Sequence, residues 1–339
     1  ITDTGVNNSI IGGVNNTINY GQFSGNNNFM GGGSGNSITG AQCAILGGTD
    51  VEIGRSGASS FPSSAGILGG EDNFVARPQS VAIGGRLSEC YGYRGVLAGG
   101  SENLIGTNAN NVCIAGGAQH SVYDQNVGVC GGREAVVRAN DAAVAGGRGG
   151  TIGTGAPRAF IGGGDYNTVN GNESVVLGGI LNGVFGGGSY GSVVAGGRQN
   201  GIKGDYSFIG GGRSNGITSS NYSAIVGGHT NTIDSSSHYS GILAGRTNSM
   251  GTSCEYCVIA GGLNNSISTT NKYCGIFAGE SNNIAATAYF CAIVGGENHT
   301  VNTNAAHAGI FAGEDSDVRG VYSVILGGQN HTSAAAADW

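Results

Sequence analysis

A short repeat built around a pair of glycines recurs along the whole 339-residue chain. Three copies read SVAIGG at 80–85, SVVLGG at 174–179 and SAIVGG at 223–228. We number each repeat from the first glycine of the pair, the anchor; twenty anchors occur, and at 244, 278 and 312 the anchor is alanine. Most anchors are 15 to 17 residues apart, and every step from 227 to 312 is 17. A fixed short period is typical of architectures in which each repeat is one stacked element.

Two columns of large aliphatic residues run through these repeats. One lies two residues before the anchor, with Ala82 as its exception, and the other lies six residues after it, interrupted by Cys90 and Ser333. A repeat of 15 residues has room for two strands of four or five residues and two turns, and it lacks helical periodicity. We therefore predict an all-β, parallel β-solenoid of about twenty rungs, stacked about 4.8 Å apart, with both columns facing inward.

The turn positions carry their own pattern. The glycine pair predicts a site of positive φ or of close approach between rungs. Four residues after the anchor, twelve of the twenty residues are Asn, and His120, His299 and His331 replace it in other repeats. We expect this Asn to adopt left-handed geometry at a corner and to hydrogen-bond both the turn and the Asn of the next rung. The three histidines are interpreted as structural substitutes in that ladder.

Cysteine spacing favours packing over cross-linking. Cys257, Cys274 and Cys291 are one repeat apart and share their position, four before the anchor, with Cys43. Ser and Ala occupy that position elsewhere, so we interpret these thiols as small buried fillers rather than disulfides. Cys254 and Cys257 form a single C-x-x-C, which is weak support for a metal site without a second pair.

Composition restricts the remaining function classes. The 70 glycines come with only 3 prolines and no three-residue period, which excludes collagen, and the regular Ile and Val positions argue against disorder. A net charge of −7 gives no basic footprint for nucleic acid, and no apolar run is long enough to insert into a membrane. No catalytic pair, cofactor motif or metal set emerges. We expect one solenoid domain over 1–339, less regular near 1–20 and 327–339.

The residue just before the anchor forms an apolar column that strand alternation points outward. It is apolar or Gly in all twenty repeats. Such a stripe predicts an oligomer interface, and a homotrimer around one axis would bury it; the alternative is a wider core within one chain. The larger members are Ile11, Leu46, Leu68, Ile83, Leu177, Val226, Leu243, Phe277, Val294, Phe311 and Leu326.

A second outward column, five residues before the anchor, becomes aromatic in the later repeats. Stacked aromatic side chains stabilise a sheet, and they also serve as contacts for a sugar or a receptor, so both interpretations stay open. The members are Tyr206, Tyr222, Tyr239, Tyr256, Tyr273, Phe290, His307 and Tyr322.

The segments SVAIGG at 80–85, SVVLGG at 174–179 and SAIVGG at 223–228 resemble the head repeats of trimeric autotransporter adhesins of the YadA type. Similar Gly-Gly, Asn-rich repeats occur in phage and giant-virus fibre proteins. The resemblance covers nearly the whole chain and implies a left-handed parallel β-roll, assembled as a trimer, that projects from a surface and binds a partner.

These observations favour a non-enzymatic fibre or adhesin segment on a virion or cell surface, with a cell-surface glycan or receptor as its partner. A self-polymerising extracellular filament subunit is the alternative. An ice-binding solenoid is a minor alternative, because the threonines five residues after the anchor are interrupted by Glu52, Phe74, Leu104 and Val136.

Overall fold

The computed structural model describes residues 2–3, 7–19, 27–54, 62–186 and 189–333. These residues form short strands, isolated bridges, turns, bends and irregular backbone, and no helix occurs among them. In this described part of the chain, nothing helical is long or apolar enough to cross a bilayer. The contacts separate into two compact units, unit 1 (Ile1–Tyr166) and unit 2 (Asn167–Trp339). The predicted single domain over 1–339 stays a prediction.

Unit 1 is a parallel β-solenoid built from two ladders. Each even-numbered strand pairs with the even-numbered strand of the next rung, and each odd-numbered strand pairs with the next odd-numbered one. In the even-numbered ladder, for example, Val81 lies opposite Val96. Its strands are β1 (Thr2–Asp3), β2 (Ser9–Ile10), β3 (Thr17–Ile18), β4 (Phe29–Met30), β5 (Ser37–Ile38), β6 (Ala44–Ile45), β7 (Glu52–Ile53), β8 (Gly66–Ile67), β9 (Phe74–Val75), β10 (Val81–Ala82), β11 (Glu89–Cys90), β12 (Val96–Leu97), β13 (Leu104–Ile105), β14 (Cys113–Ile114), β15 (Ser121–Val122), β16 (Gly128–Val129), β17 (Val136–Val137), β18 (Ala143–Val144), β19 (Thr151–Ile152) and β20 (Phe160–Ile161).

Unit 2 repeats the same plan, and Val258, for example, lies opposite Gly275 in the next rung. Its strands are β21 (Thr168–Val169), β22 (Val175–Val176), β23 (Gly183–Val184), β24 (Val193–Val194), β25 (Gly201–Ile202), β26 (Phe208–Ile209), β27 (Gly216–Ile217), β28 (Ala224–Ile225), β29 (Thr232–Ile233), β30 (Gly241–Ile242), β31 (Ser249–Met250), β32 (Val258–Ile259), β33 (Ser266–Ile267), β34 (Gly275–Ile276), β35 (Asn283–Ile284), β36 (Ala292–Ile293), β37 (Thr300–Val301), β38 (Gly309–Ile310), β39 (Asp317–Val318), β40 (Val324–Ile325) and β41 (Thr332–Ser333). The predicted all-β parallel solenoid is therefore confirmed in each unit.

The strands are shorter than predicted, because each contains two residues instead of four or five. Left-handed residues interrupt the extended backbone between them, and a third, single-residue ladder lies two residues after the anchor, as between Ser101 and Ala118. Backbone hydrogen bonds still join the rungs. The N–H of Val258, for example, donates to the backbone carbonyl of Cys274 in the next rung at 2.9 Å. Rung-to-rung bonding thus extends beyond the two-residue strands.

The core is the pair of inward columns, as expected. Ile259 and Ile267 in one rung of unit 2, and Leu97 and Ile105 in one rung of unit 1, are fully buried. Even the exceptional Ala82 and Cys90 are fully buried. Each buried side chain meets the equivalent side chain of the next rung, so burial accumulates along the stack and a single rung could not hide its own aliphatic groups.

The two glycines of a pair have different roles, which corrects the expectation that both are sterically required. A Cβ on Gly261 would meet no atom within 4 Å, which explains why alanine occurs at the anchor in other rungs. Gly262 has a φ of +98°, and its Cβ would lie 2.2 Å from the Gly279 carbonyl oxygen of the next rung. In this rung only the second glycine is excluded from change by geometry, whereas the anchor Gly84 of another rung has a φ of +84° and also requires glycine.

The Asn column forms a buried amide ladder instead of the predicted left-handed corner. At the corner next to Asn265, the residue with left-handed backbone is the exposed Asn264, which has a φ of 57°. The Nδ2 of Asn265 donates to the carbonyls of Gly261 (3.0 Å) and Gly279 (2.9 Å), and its Oδ1 accepts the N–H of Asn282 (3.0 Å). The predicted bonds to the turn and to the next rung are therefore present, and they lie inside the core.

Histidine can replace Asn in this ladder because its Nδ1 takes over the acceptor role. Nδ1 of His120 accepts the N–H of Ala135 at 3.1 Å, and Nδ1 of His299 accepts that of Ser316 at 3.2 Å. Both rings are fully buried, and burial lowers the pKa of each below its ordinary value. A neutral ring with a free Nδ1 lone pair suits this position, so these two histidines have the structural role predicted for them.

The cysteines four residues before the anchor are buried and free, as predicted. The Sγ of Cys274 donates to the backbone carbonyl of Ala288 at 2.8 Å. In the equivalent bond, the Oγ of Ser240 donates to the backbone carbonyl of Cys254, also at 2.8 Å. Burial raises the pKa of the Cys43 thiol to about 11. A thiol here thus replaces a serine hydroxyl as a small donor to the next rung.

Candidate functional site

The outward residues of the even-numbered strands form an apolar surface in each unit. Alternation places the residue two before the anchor inside, and its neighbours one and three before the anchor outside. We call the side chains at these two outward positions the apolar face.

In unit 1, the larger side chains one before the anchor are exposed by 44% or more. These are Ile11, Leu46, Leu68 and Ile83. The alternative prediction, in which this column belongs to a wider core of one chain, is wrong for them.

In unit 2 the same column is between 41% and 76% exposed at its larger members. These are Leu177, Val226, Leu243, Phe277, Val294, Phe311 and Leu326. They too lie outside the core, so both units leave a stripe of apolar side chains uncovered. Exposed apolar area arranged in one continuous stripe marks an interaction surface.

The apolar face is wider than the sequence prediction. The position three before the anchor is also outward, and in unit 2 it carries only Val, Phe, Ala or Gly, as at Phe208 and Val258. Strand alternation applied to this position would have identified it, since residues i and i+2 share a face. Two adjacent apolar columns make a flat band, which suits another flat surface better than a small molecule.

The aromatic column in unit 2 is a continuous stack, which we call the aromatic ladder. Neighbouring ring centroids are 4.9 to 5.2 Å apart, and the ring planes differ by 3° to 12°. Tyr222, Tyr239 and Tyr273 are each about half exposed. The structure thus brings every predicted ladder residue together, including His307 between Phe290 and Tyr322.

Backbone geometry at the ladder opposes large side chains. All eight ladder residues have a φ between 48° and 59°, a left-handed conformation that costs a bulky residue about 1–3 kcal/mol. In unit 1 this position carries Asn111, Asn126 and Asp141, types that tolerate the conformation well, but also the longer Arg94 and Arg158. Stacking of about 0.5–1.5 kcal/mol for each ring pair offsets part of the cost.

The stack also determines what a ligand can reach. Each ring inside the ladder has both faces covered by its neighbours, so a sugar cannot lie flat against it. The ring centroids are about 5.1 Å apart between Tyr222 and Tyr273, and these side chains are about half exposed. The hydroxyl is the polar group that each of these tyrosines offers to a ligand. A receptor or glycan would therefore contact a row of hydroxyl groups instead of an aromatic platform.

The other candidate chemistry is not assembled. Among the residues that the structure describes, no three His, Cys, Asp or Glu side chains approach closely enough to hold a metal ion. Cys254 and Cys257 each donate to a carbonyl of the next rung, Ser268 at 2.8 Å and Asn271 at 3.7 Å respectively. The C-x-x-C spacing thus reflects two separate hydrogen-bonding positions in the rung.

Neither a scan against protein-family models nor a search of the curated proteins finds a match to this chain.

Proposed function

We propose that this chain is a non-enzymatic structural segment of a fibre, displayed on a virion or cell surface, whose apolar face is covered by further copies of the same chain. The observation that supports this most directly is the apolar face itself: Leu243, Phe277 and Phe311 are half exposed although they are large and apolar. A protein surface with such a stripe associates or aggregates unless a partner covers it. Stacked rungs supply a rigid support of repeating geometry for that contact.

Replacing the face with polar side chains should dissociate the assembly. We expect Leu243→Gln with Phe277→Gln to reduce the mass in sedimentation equilibrium, because the apolar area that drives association is lost. The melting temperature should change little, since neither side chain belongs to the core. Ser249→Gln with Ser266→Gln, on the outward side of β31 and β33, is the matched control and should leave the mass unchanged. Wild-type protein that sediments as a single copy at every concentration would contradict the proposal.

The same measurement separates two forms of assembly. A homotrimer around one axis reaches a constant mass as the concentration rises, whereas a self-polymerising filament keeps growing. The resemblance to trimeric adhesins and viral fibres favours the closed assembly.

Surface attachment through the aromatic ladder is the second part of the proposal. It is supported by the row of half-exposed tyrosines at 222, 239, 256 and 273, and by their left-handed backbone, which Asn would fit at lower cost. A side chain kept against its backbone preference has a packing or a contact role.

Changing the four tyrosines together to Phe separates these roles. We expect the fourfold variant to lose retention on a glycan array, because the hydroxyls are the polar groups that these tyrosines offer to a ligand. Its melting temperature should stay near that of the wild type, since the rings still stack as Phe290 does now. Tyr239→Ser with Tyr273→Ser is the comparison, and it should lower the melting temperature by removing stacking. Full retention by the Phe variant would assign the ladder to stability alone.

A further inference from the structure

One edge of the apolar face in unit 2 carries a column of charged side chains whose sign reverses along the stack. These residues lie two after each anchor, and consecutive members are bridge partners in neighbouring rungs, so they follow at about 4.8 Å. We call them the charged column, and all are exposed except the half-buried His229. In order they are Arg198, Arg213, His229, Arg246, Leu263, Glu280, Glu297, Glu314 and Gln329.

The order of charges is symmetric about Leu263. Arg246 and Glu280 lie one rung on either side of it, and Arg213 and Glu314 lie three rungs on either side. Arg213 and Glu314 are thus six rungs, roughly 29 Å, apart in one chain and cannot pair within it. Reversing a second copy end to end would bring the three basic residues nearest Leu263 level with acidic ones, and it would bring Arg198 level with the neutral Gln329.

Most charges of this column lack an ionic partner among the residues that the structure describes. In the part of unit 2 that the structure describes, Arg198, Arg213, Arg246, Glu280 and Glu297 form no ion pair. Like charges directly opposite each other in adjacent rungs repel, so each half of the column is unfavourable in isolation. An opposite column would relieve both halves together.

The fold determines which arrangement can supply that column. The apolar face has the aromatic ladder along one edge and the charged column along the other. Rotation about an axis along the stack keeps two copies parallel and places the charged column against the partner's ladder; a parallel trimer does the same. Rotation about an axis that crosses the stack reverses the partner and places column against column, and only this arrangement joins arginines to glutamates.

Side-chain volumes on the face are complementary at the third rung on either side of the axis, although one rung from the axis Leu243 meets the partner's Phe277, which is also large. With the axis at Leu263, the rung of Gly210 meets the partner's rung of Phe311, so a missing side chain lies opposite a half-exposed ring. Phe208, which is 40% exposed, likewise meets a glycine, the partner's Gly309. Small residues opposite large ones allow two faces to interdigitate.

We propose that unit 2 binds a second copy of itself, apolar face to apolar face and antiparallel, about a twofold axis at the level of Leu263. The partner's basic half then lies along a groove of about 960 Å³ whose lining includes Leu263, Glu280, Glu297 and Glu314. This inference rests on the self-association proposed above and replaces the parallel trimer with a reversed pair in this unit.

Charge reversal in the full-length chain tests the pairing. We expect Arg213→Glu with Arg246→Glu, and separately Glu280→Arg with Glu314→Arg, each to weaken self-association roughly tenfold or more, because like charges then face each other. An equimolar mixture of the two variants should recover a mass of two copies, since each changed residue then faces a residue of opposite charge on the other variant. The changed residues are exposed, so circular dichroism should match the wild type.

The outcomes are separable. Wild-type protein that stays a single copy overturns both the proposed assembly and this pairing. Wild-type protein that associates as three copies, variants that associate with unchanged affinity, or a mixture that fails to recover the pair would overturn the antiparallel arrangement alone.

Discussion

Gly262→Ala should destabilise the solenoid by about 3–5 kcal/mol, whereas Gly261→Ala should be nearly neutral. At Gly262 the added Cβ would lie 2.2 Å from the Gly279 carbonyl oxygen and 2.4 Å from Nδ2 of Asn265, in a backbone with a φ of +98°. Both contacts involve atoms fixed by rung-to-rung bonding, so neither can move without separating the rungs. At Gly261 the Cβ would enter open space.

Hydrogen exchange is the suitable measurement, because a stack of nearest-neighbour contacts opens locally. We expect faster exchange of the amides between 262 and 280 in Gly262→Ala, together with a lower denaturation midpoint. Gly261→Ala is a stringent control, since it differs by one position and reproduces the natural residue at Ala244, Ala278 and Ala312. Equal effects of the two substitutions would disprove the asymmetry of the glycine pair.

The amide ladder predicts the second large effect. Asn265→Ala would leave the N–H of Asn282 and the carbonyl of Gly261 without their side-chain partner inside the core. Each orphaned group costs about 1–3 kcal/mol, so we expect a loss of about 2–6 kcal/mol in the free energy of unfolding. Urea denaturation followed by circular dichroism measures the loss.

Asn265→His is the matched variant for this experiment. Its Nδ1 can accept the N–H of Asn282 as His299 accepts that of Ser316, so most of the stability should remain. The comparison belongs at pH 8, where a histidine whose pKa is lowered by burial is neutral. If the His variant is as unstable as the Ala variant, the hydrogen-bonding role assigned to Asn265 is wrong.

The repeat period predicted the inward columns because their signal is strong. A large aliphatic residue recurs at two fixed offsets, and a one-residue slip would expose a whole column. Strand length was not predictable in the same way, since left-handed backbone at Asn264 or Thr270 leaves no consistent residue preference in the sequence.

The amide ladder shows why side-chain direction is harder to infer than alignment. Asn is common in left-handed corners, so the repeated Asn suggested one. The corner lies one residue earlier, at an exposed position that Ser, Thr, Leu and Tyr also occupy, while Asn265 is retained for bonds that only a buried side chain can make. Alignment of the repeats placed these residues in the correct column, but it did not show whether their side chains point into the core or outward.

The apolar column and the aromatic ladder were predicted from the sequence, whereas the charged column was not, and the reason is related. The apolar column and the aromatic ladder are uniform in residue type, so alignment alone reveals them. The charged column changes from Arg to Glu along its length, and it averages to no net preference at that position. Its order becomes meaningful only once Arg246, Leu263 and Glu280 are known to be spatial neighbours.

The constant register of the 17-residue rungs has a consequence for how such a molecule changes length. Ile242, Ile259, Ile276, Ile293 and Ile310 are successive partners in a single ladder, each separated by the same number of residues. Excising or duplicating one 17-residue segment would therefore join chemically equivalent positions and leave every buried column intact. Genetic recombination between repeats can therefore lengthen or shorten the solenoid in steps of about 4.8 Å without changing the residues of its core.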